Sequence, residues 1–223
     1  MAWDKVWEDI FATQDWGKYP GEDLIRFVAR NFYKAKDRAQ IKILEVGCGP
    51  GANIWYMARE GFCVYGVDGS KTAIDTAKKR LDLECNGWQG AVTVGDFCNL
   101  NFTDGFFDAV IDNEAICYNS FAESKKIYGE IARILKKEGK LFSRTFAVGT
   151  YGYGTGREIS CKTYDVDEGP LANKGATRFT ELDDIIVLLG DSYSNISVDL
   201  LTKSINGDLD KNIREWIITA TKI

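Results

Sequence analysis

The sequence contains no histidine among its 223 residues. That removes the commonest general base near neutral pH, excludes His-ligated zinc and rules out a Ser-His-Asp hydrolase. No apolar run approaches the roughly 18 residues that a membrane-crossing helix needs. The start, Met1-Ala2-Trp3-Asp4-Lys5, shows no apolar leader region. These two absences predict a cytoplasmic protein that does not engage a membrane. The six cysteines, Cys48, Cys63, Cys85, Cys98, Cys117 and Cys161, form no CxxC pair. They are expected to be reduced thiols packed as small hydrophobes, and no metal is expected. Nor is there an excess of basic residues: 28 Lys and Arg face 33 Asp and Glu, a formal charge of −5. That balance argues against a nucleic-acid partner, which calls for a basic face. The runs Lys78-Lys79-Arg80 and Lys125-Lys126 read as solvated helix faces. No internal repeat or low-complexity tract occurs.

What is present suffices for one folded domain, since 45% of the residues are hydrophobic. The most informative stretch is Ile41-Lys42-Ile43-Leu44-Glu45-Val46-Gly47-Cys48-Gly49-Pro50-Gly51. It reads as a short apolar strand entering a glycine-rich turn. A helix over 52–60 follows, and a second strand, Cys63 to Val67, ends at Asp68. This is a βαβ unit with a nucleotide-sized pocket at its first turn. Gly47, Gly49 and Gly51 permit a tight turn and close approach of a ligand. The carboxylate of Asp68 is placed to accept both ribose hydroxyl protons. An adenosine-type cofactor is therefore implied. Gly47-x-Gly49-x-x-Ala52 also fits a loose dinucleotide fingerprint, but Glu45 at the mouth of the loop would repel a pyrophosphate and attract a cation.

On these residues the chain resembles the class I S-adenosylmethionine-dependent methyltransferases. Leu44 to Gly51 match the family's first motif. Asp68, Gly69 and Ser70 match its second acidic position. Gly95-Asp96-Phe97 match its third, where the acid and its neighbour meet adenine. Phe107-Asp108-Ala109-Val110-Ile111-Asp112 match its fourth strand, and 131–146 its following helix, turn and fifth strand. The resemblance implies a doubly wound, Rossmann-like α/β fold, with seven strands, mostly parallel, and a terminal antiparallel hairpin. It implies S-adenosyl-L-methionine as cofactor and S-adenosyl-L-homocysteine as product. Trp16, Tyr19, Glu45, Gly47, Cys48, Gly49, Gly51, Asn53, Asp68, Gly69, Ser70, Asp96, Phe97 and Asn113 are the expected cofactor residues.

The remaining chain divides around that core. Residues 1–38 hold two cap helices, with apolar stripes at 3, 6, 7, 10 and 11 and at 24, 25, 27, 28 and 32. Residues 41–146 form the cofactor core, in which Ser70 can cap a helix with Ile74, Ala77 and Leu81 facing inward. Residues 149–177 are rich in glycine and tyrosine and show no clear period. They read as a lid or insert. Residues 178–223 give a helix starting near Thr180-Glu181 and ending at Gly190. The hairpin strands follow, Ile196 to Thr202 and Glu215 to Thr221, with a turn at Asn206-Gly207-Asp208.

For the chemistry, Glu114 and Tyr118 are the candidate proton acceptors, just beyond the fourth strand; the alternatives are a helix cap or a solvated carboxylate for Glu114 and a core position for Tyr118. Arg144 and Arg178 could hold an anionic acceptor or form ordinary ion pairs, and Tyr151 and Tyr153 offer stacking area and hydroxyls. The family's Asn-Pro-Pro-Tyr motif for amine methylation is absent. The expectation is methyl transfer to a small-molecule acceptor at a hydroxyl oxygen rather than a nitrogen. A tRNA or protein methyltransferase and a non-catalytic cofactor-binding partner subunit are the alternatives. The oligomeric state, monomer or homodimer, stays open.

Overall fold

A computed structural model describes residues 4–223. The chain opens with two helices, α1 (Val6–Thr13) and α2 (Glu22–Phe32). Trp3, the first residue of the expected stripe, lies outside the described residues. Then β1 (Lys42–Val46), α3 (Ala52–Arg59), β2 (Cys63–Asp68), α4 (Lys71–Glu84) and β3 (Gln89–Val94) build one half of the sheet. The other half comes from β4 (Phe107–Asn113), α5 (Phe121–Ile134) and β5 (Leu135–Phe146).

A second, small sheet follows: β6 (Arg157–Ser160), β7 (Thr163–Asp165) and β8 (Ala176–Arg178). The chain ends with α6 (Leu182–Leu189), β9 (Tyr193–Ile205) and β10 (Asp208–Lys222). The main sheet has the order β3-β2-β1-β4-β5-β10-β9. Its first five strands run parallel, whereas β10 is antiparallel to both β5 and β9. The expected seven-stranded, doubly wound fold is thus present.

Strand alternation decides which side each residue covers. Ile43, Val64, Ala109, Ile111, Phe142 and Ile217 pack against α2, α3 and α4 through Phe27, Val28, Ile54, Met57 and Ile74. Leu44, Val46, Val110, Leu141 and Ile218 pack against α5 and α6 through Ile127, Ile131, Ile185 and Leu188. β1 is buried on both faces, so Ile43, Leu44 and Val46 are apolar, and Glu45 is the buried exception at the cavity.

Caps fix the helix starts. The Ser70 hydroxyl accepts from the Ala73 amide at 3.0 Å, and Ser120 and Glu123 form a reciprocal capping box on α5. α6 begins one residue later than the sequence pattern suggests. Glu181 is its cap and Asp184 the answering acid, because Lys162 Nζ is held between these two carboxylates and draws them together. The final turn is Asn206-Gly207 with φ of 51° and 76°, a two-residue hairpin turn that matches the strands' twist.

The stretch 149–177 departs from expectation. It is not structureless: β6, β7 and β8 pair antiparallel. A small satellite core of Val166, Leu171, Phe179, Phe146 and Cys117 lies beneath them. The strands are only three or four residues long, too short for alternation to register in the sequence. β5 also starts earlier than expected, because Glu138, at φ 63°, lies where the ladder with β4 shifts register rather than ending.

Candidate functional site

In an open sheet, ligands collect where the strand order reverses, beyond the carboxyl ends of the strands. Here that point lies between β1 and β4, and a cavity of about 400 Å³ opens there. Glu45 near the end of β1, Asp68 at the end of β2, Asn113 at the end of β4 and Arg144 near the end of β5 all line it. β10 runs the other way, so its early residues Ile213 and Glu215 reach the same rim, joined by Lys203 of β9.

The glycine turn is built around Asp68. Its Oδ2 accepts from the Gly49 amide at 2.9 Å and its Oδ1 from the Ser70 amide at 2.9 Å. Two of the glycines answer to protein neighbours. A Cβ on Gly47 would lie 2.1 Å from the Ala115 Cβ, and one on Gly51 would lie 2.9 Å from the Ala77 Cβ. Both also have left-handed backbones, at φ 68° and 91°. Gly51 does not line the cavity; it seats α3 against α4.

Glu45 is 2% exposed. Its Oε1 accepts from Asn53 Nδ2 at 2.5 Å, while its Oε2 is buried with no hydrogen-bond partner in the protein. Burial pushes its carboxyl well above the usual carboxylate range, and the neighbouring Asp68 and Asp112 add to this. A cationic group brought to that oxygen would satisfy it and reverse the shift. The amino acid part of S-adenosylmethionine carries such a group, and Asp68 retains lone pairs for ribose hydroxyls. The donor set therefore fits the cofactor, with Glu45, Asp68, Phe97 and the turn 47–49 as the residues that would hold it.

The roof is aromatic. Trp7 and Phe11 of α1 and Trp16 beyond it form one edge-packed group, and Trp7 stacks edge-on against Tyr118 at 4.7 Å. Phe11 lies over Gly49, 3.4 Å from where its Cβ would be. Glu8 secures α1 by accepting from the Thr72 hydroxyl at 2.5 Å at the start of α4. Pro170, Leu171 and Lys174 of the insert close the other side. Tyr19 reaches the rim but is 73% exposed and packs on Trp55.

On the acceptor side stands an ionic group that sequence reading found only in part. The Arg144 guanidinium is bound by Glu215 through both nitrogens, Nε at 3.0 Å from Oε1 and Nη2 on Oε2. Glu114 Oε1 lies 3.1 Å from the same Nε. Glu114 has φ 61°, an uncommon backbone for a residue with a Cβ, held by its amide's bond to the Arg144 carbonyl at 2.9 Å. Burial and the adjacent Glu215 raise its carboxyl to about 8. Glu215 moves down: burial opposes this, but the hydrogen bond from Glu114 and the Arg144 charge outweigh it. Tyr118 is held well above the usual phenol range by burial, which makes it a wall and not a base.

Several expected site residues lie elsewhere. Gly69, Ser70 and Asp96 are not on the cavity wall; Ser70 caps α4, and the Asp96 carboxylate accepts from the Cys98 amide at 3.0 Å. Tyr153 packs edge-on against Tyr164 and Phe179, and Tyr151 lies near Lys211, so neither faces the cavity. Arg178 is 2% exposed and off the cavity wall; its Nη1 donates to the Thr180 hydroxyl at 2.7 Å, while its Nε and Nη2 are buried without a hydrogen-bond partner in the protein. Trp16, Cys48, Asn53 and Asn113 do line the cavity. Trp7, Phe11, Lys174, Lys203 and Glu215 were missed. For Trp7 and Phe11 the apolar stripe was visible, but not the cavity it covers. Glu215 had no local signal.

Sheet order, an acid-bearing glycine turn and a roofed cleft at the switch point define a cofactor-binding α/β protein. Residues 44–143 match the family described as a methyltransferase domain. The chain is 34% identical over 160 residues to a sterol 24-C-methyltransferase of Eremothecium gossypii, covering 68% of this chain and 41% of that one. It is 31% identical over 107 residues to an uncharacterized methyltransferase of Schizosaccharomyces pombe, covering 47% of this chain and 71% of that one. The chain thus spans about two fifths of the sterol methyltransferase it matches, and most of the second relative. Its fold is that of phosphoethanolamine N-methyltransferase 2 of Haemonchus contortus in complex with S-adenosyl-L-methionine. That likeness has a TM-score of 0.69 at 19% identity and covers 97% of this chain and 56% of that one. The chain belongs to the class I S-adenosylmethionine-dependent methyltransferases.

Proposed function

We propose that this protein transfers a methyl group from S-adenosyl-L-methionine to a small molecule, at a hydroxyl oxygen. The observation that carries this reading is one cavity with two differently equipped ends. At the β1–β2 end, the unpartnered Glu45 oxygen and Asp68 suit a cationic adenosine cofactor. At the β4–β5–β10 end, Glu114 offers a carboxylate of raised basicity beside aromatic walls.

S-adenosylmethionine, held by Glu45, Asp68 and the turn 47–49, would supply an activated methyl group with sulfur as the leaving atom, and the acceptor oxygen would lose its proton. The protein's part is orientation, dryness and a home for the acceptor's proton. Aligning the acceptor can lower the barrier by about 7–11 kcal/mol. α1 and the insert roof the cavity and exclude water. Glu114 takes the proton.

The roofed depth of the cavity favours a small acceptor over a tRNA or a folded protein. Its open acceptor half speaks against a purely regulatory subunit. The sterol 24-C-methyltransferase match and the aromatic wall favour a second reading, transfer to carbon of an apolar acceptor. Incubation with ¹³C-methyl-labelled S-adenosylmethionine and fractionated metabolites, read by NMR, separates these. A new O-methyl signal supports the first reading and a new C-methyl signal the second. Label appearing only on RNA or protein would overturn both.

A further inference from the structure

An Nε–H carries one hydrogen. In this cavity the single Arg144 Nε faces two carboxylate oxygens, Glu215 Oε1 at 3.0 Å and Glu114 Oε1 at 3.1 Å. Glu215 also holds the Nη2 corner, so the guanidinium fork belongs to it. Glu114 is thereby pressed against an ionised carboxylate without a full donor of its own. Two carboxylates that share one N–H donor do not both stay ionised at low cost, and one proton held between them relieves the repulsion. The backbone enforces the encounter. Glu114 is fixed in a left-handed conformation by its amide bond to the Arg144 carbonyl, and the β5–β10 ladder brings Glu215 opposite Phe146, two residues from Arg144.

We propose that Glu215 is the positioning partner of Glu114 in a carboxyl pair that holds one proton on the Arg144 guanidinium, and that Glu114, once it has released that proton, receives the proton of the methyl acceptor. This rests on the methyltransferase reading of the cavity. In the step, the acceptor's O–H bond breaks, its electron pair stays on oxygen, and the proton joins a Glu114 carboxylate oxygen. The neutral Glu114 is then stabilised by donating to the Glu215 carboxylate, and the proton later leaves to solvent. Glu215 thus makes Glu114 a stronger base than an isolated glutamate, and Arg144 keeps Glu215 from competing for the proton.

The other charged groups around the pair come from every neighbouring element. Asp112 of β4 raises Glu114 further, Cys117 and Tyr118 follow it in the next turn, Lys203 of β9 favours the ionised Glu215, and Asp23 of α2 faces Arg144. Arg178 of β8 acts on Asp112 and Cys117, and the cation in contact with Glu114, Arg144, is shared with Glu215, so Glu215 sets its state.

The test is a pH titration of the cofactor-free protein carrying ¹³C-labelled glutamate side chains, read by NMR. Because burial also raises Glu45, the titration is run in a Glu45→Gln background, where we expect one glutamate to titrate near 8 and its partner below the usual glutamate range of about 4.3. In Glu215→Gln, which keeps an oxygen for Arg144, the high step should vanish and reappear at least about one unit lower. In Glu114→Gln the high step should vanish while the low one stays. Because no turnover is measured, this holds whether or not the acceptor is known. Once an acceptor is in hand, the kcat/KM profile of Glu215→Gln should rise at lower pH than that of the wild type, whereas a merely structural Glu215 would lower stability and leave the profile in place. In the Glu45→Gln background, a high step that persists when Glu215→Gln is added, or no glutamate titrating above about 6 before it is added, overturns the pair and leaves the methyltransferase reading standing.

Discussion

The Asp68 carboxylate accepts from the Gly49 amide through Oδ2 at 2.9 Å, so the acid at the end of β2 ties down the middle of the glycine turn at the end of β1. With Oδ1 on the Ser70 amide, one side chain joins the turn, the strand end and the start of α4. On the proposed function, cofactor binding and loop geometry thus depend on the same side chain. Asp68→Ala should weaken S-adenosylmethionine binding by about 1.5–3 kcal/mol, the worth of hydrogen bonds to a charged group. Asp68→Asn, which retains one acceptor oxygen, should lose less. Equal dissociation constants for wild type and Asp68→Ala would show that the ribose sits elsewhere.

Glu45 should reveal itself through pH. Its carboxyl is raised by burial, and also by Asp68 and Asp112, so the native state keeps a proton that the unfolded chain has already lost. Where the native state binds more protons, stability falls as pH rises. The loss begins above the unfolded glutamate value of about 4.3 and continues up to the native one. Glu45→Gln removes this slope. The cofactor-free variant should melt higher than the wild type at about pH 8, with the gap narrowing toward about pH 5, and it should bind S-adenosylmethionine more weakly. Thermal melts across pH check the first part and calorimetry the second. A variant that melts lower at every pH would contradict the assignment.

The tyrosines of the insert should behave as structure. Tyr153 packs edge-on against Tyr164 at 5.5 Å and Phe179 at 5.2 Å, under the small second sheet. Tyr153→Ala should cost about 2 kcal/mol of stability, less than the ~3–5 kcal/mol of a fully buried aromatic because Tyr153 is only half-buried. At temperatures where the variant stays folded, its acceptor KM should match the wild type. Denaturant melts and acceptor kinetics together read this. A raised KM with unchanged stability would restore the lid role that the sequence first suggested for Tyr151 and Tyr153.

What the sequence made legible was local. The run Leu44 to Gly51 and the acid Asp68 carry the strand, turn and carboxylate within one βαβ unit, and each behaves as the residue types require. The same holds for Ser70 as a cap and for the Asn206-Gly207 turn. The acceptor side was legible only at Glu114 and Arg144, because those two follow recognisable strands. Glu215 lies 101 residues beyond Glu114, at an alternating strand position where a charge reads as solvent-facing. Only the antiparallel placement of β10 beside β5 turns it into the cavity. Arg178 stayed open between an anion site and an ordinary ion pair, because no local pattern records that β8 carries it, 2% exposed, under the insert. In the insert, strands of three and four residues are set by their pairing with one another, which no short-range pattern records.

On the proposed function, the cleft lined by Glu45 and Asp68 takes S-adenosylmethionine and presents its methyl group toward Glu114. Calorimetric titration of the purified protein with S-adenosylmethionine, S-adenosylhomocysteine and NAD, without added metal, tests this most directly. The account predicts one site per chain for each of the first two ligands, weakened by Asp68→Ala, and no measurable heat with NAD. Tight NAD binding, or no binding of either S-adenosyl compound to the folded protein, would contradict it.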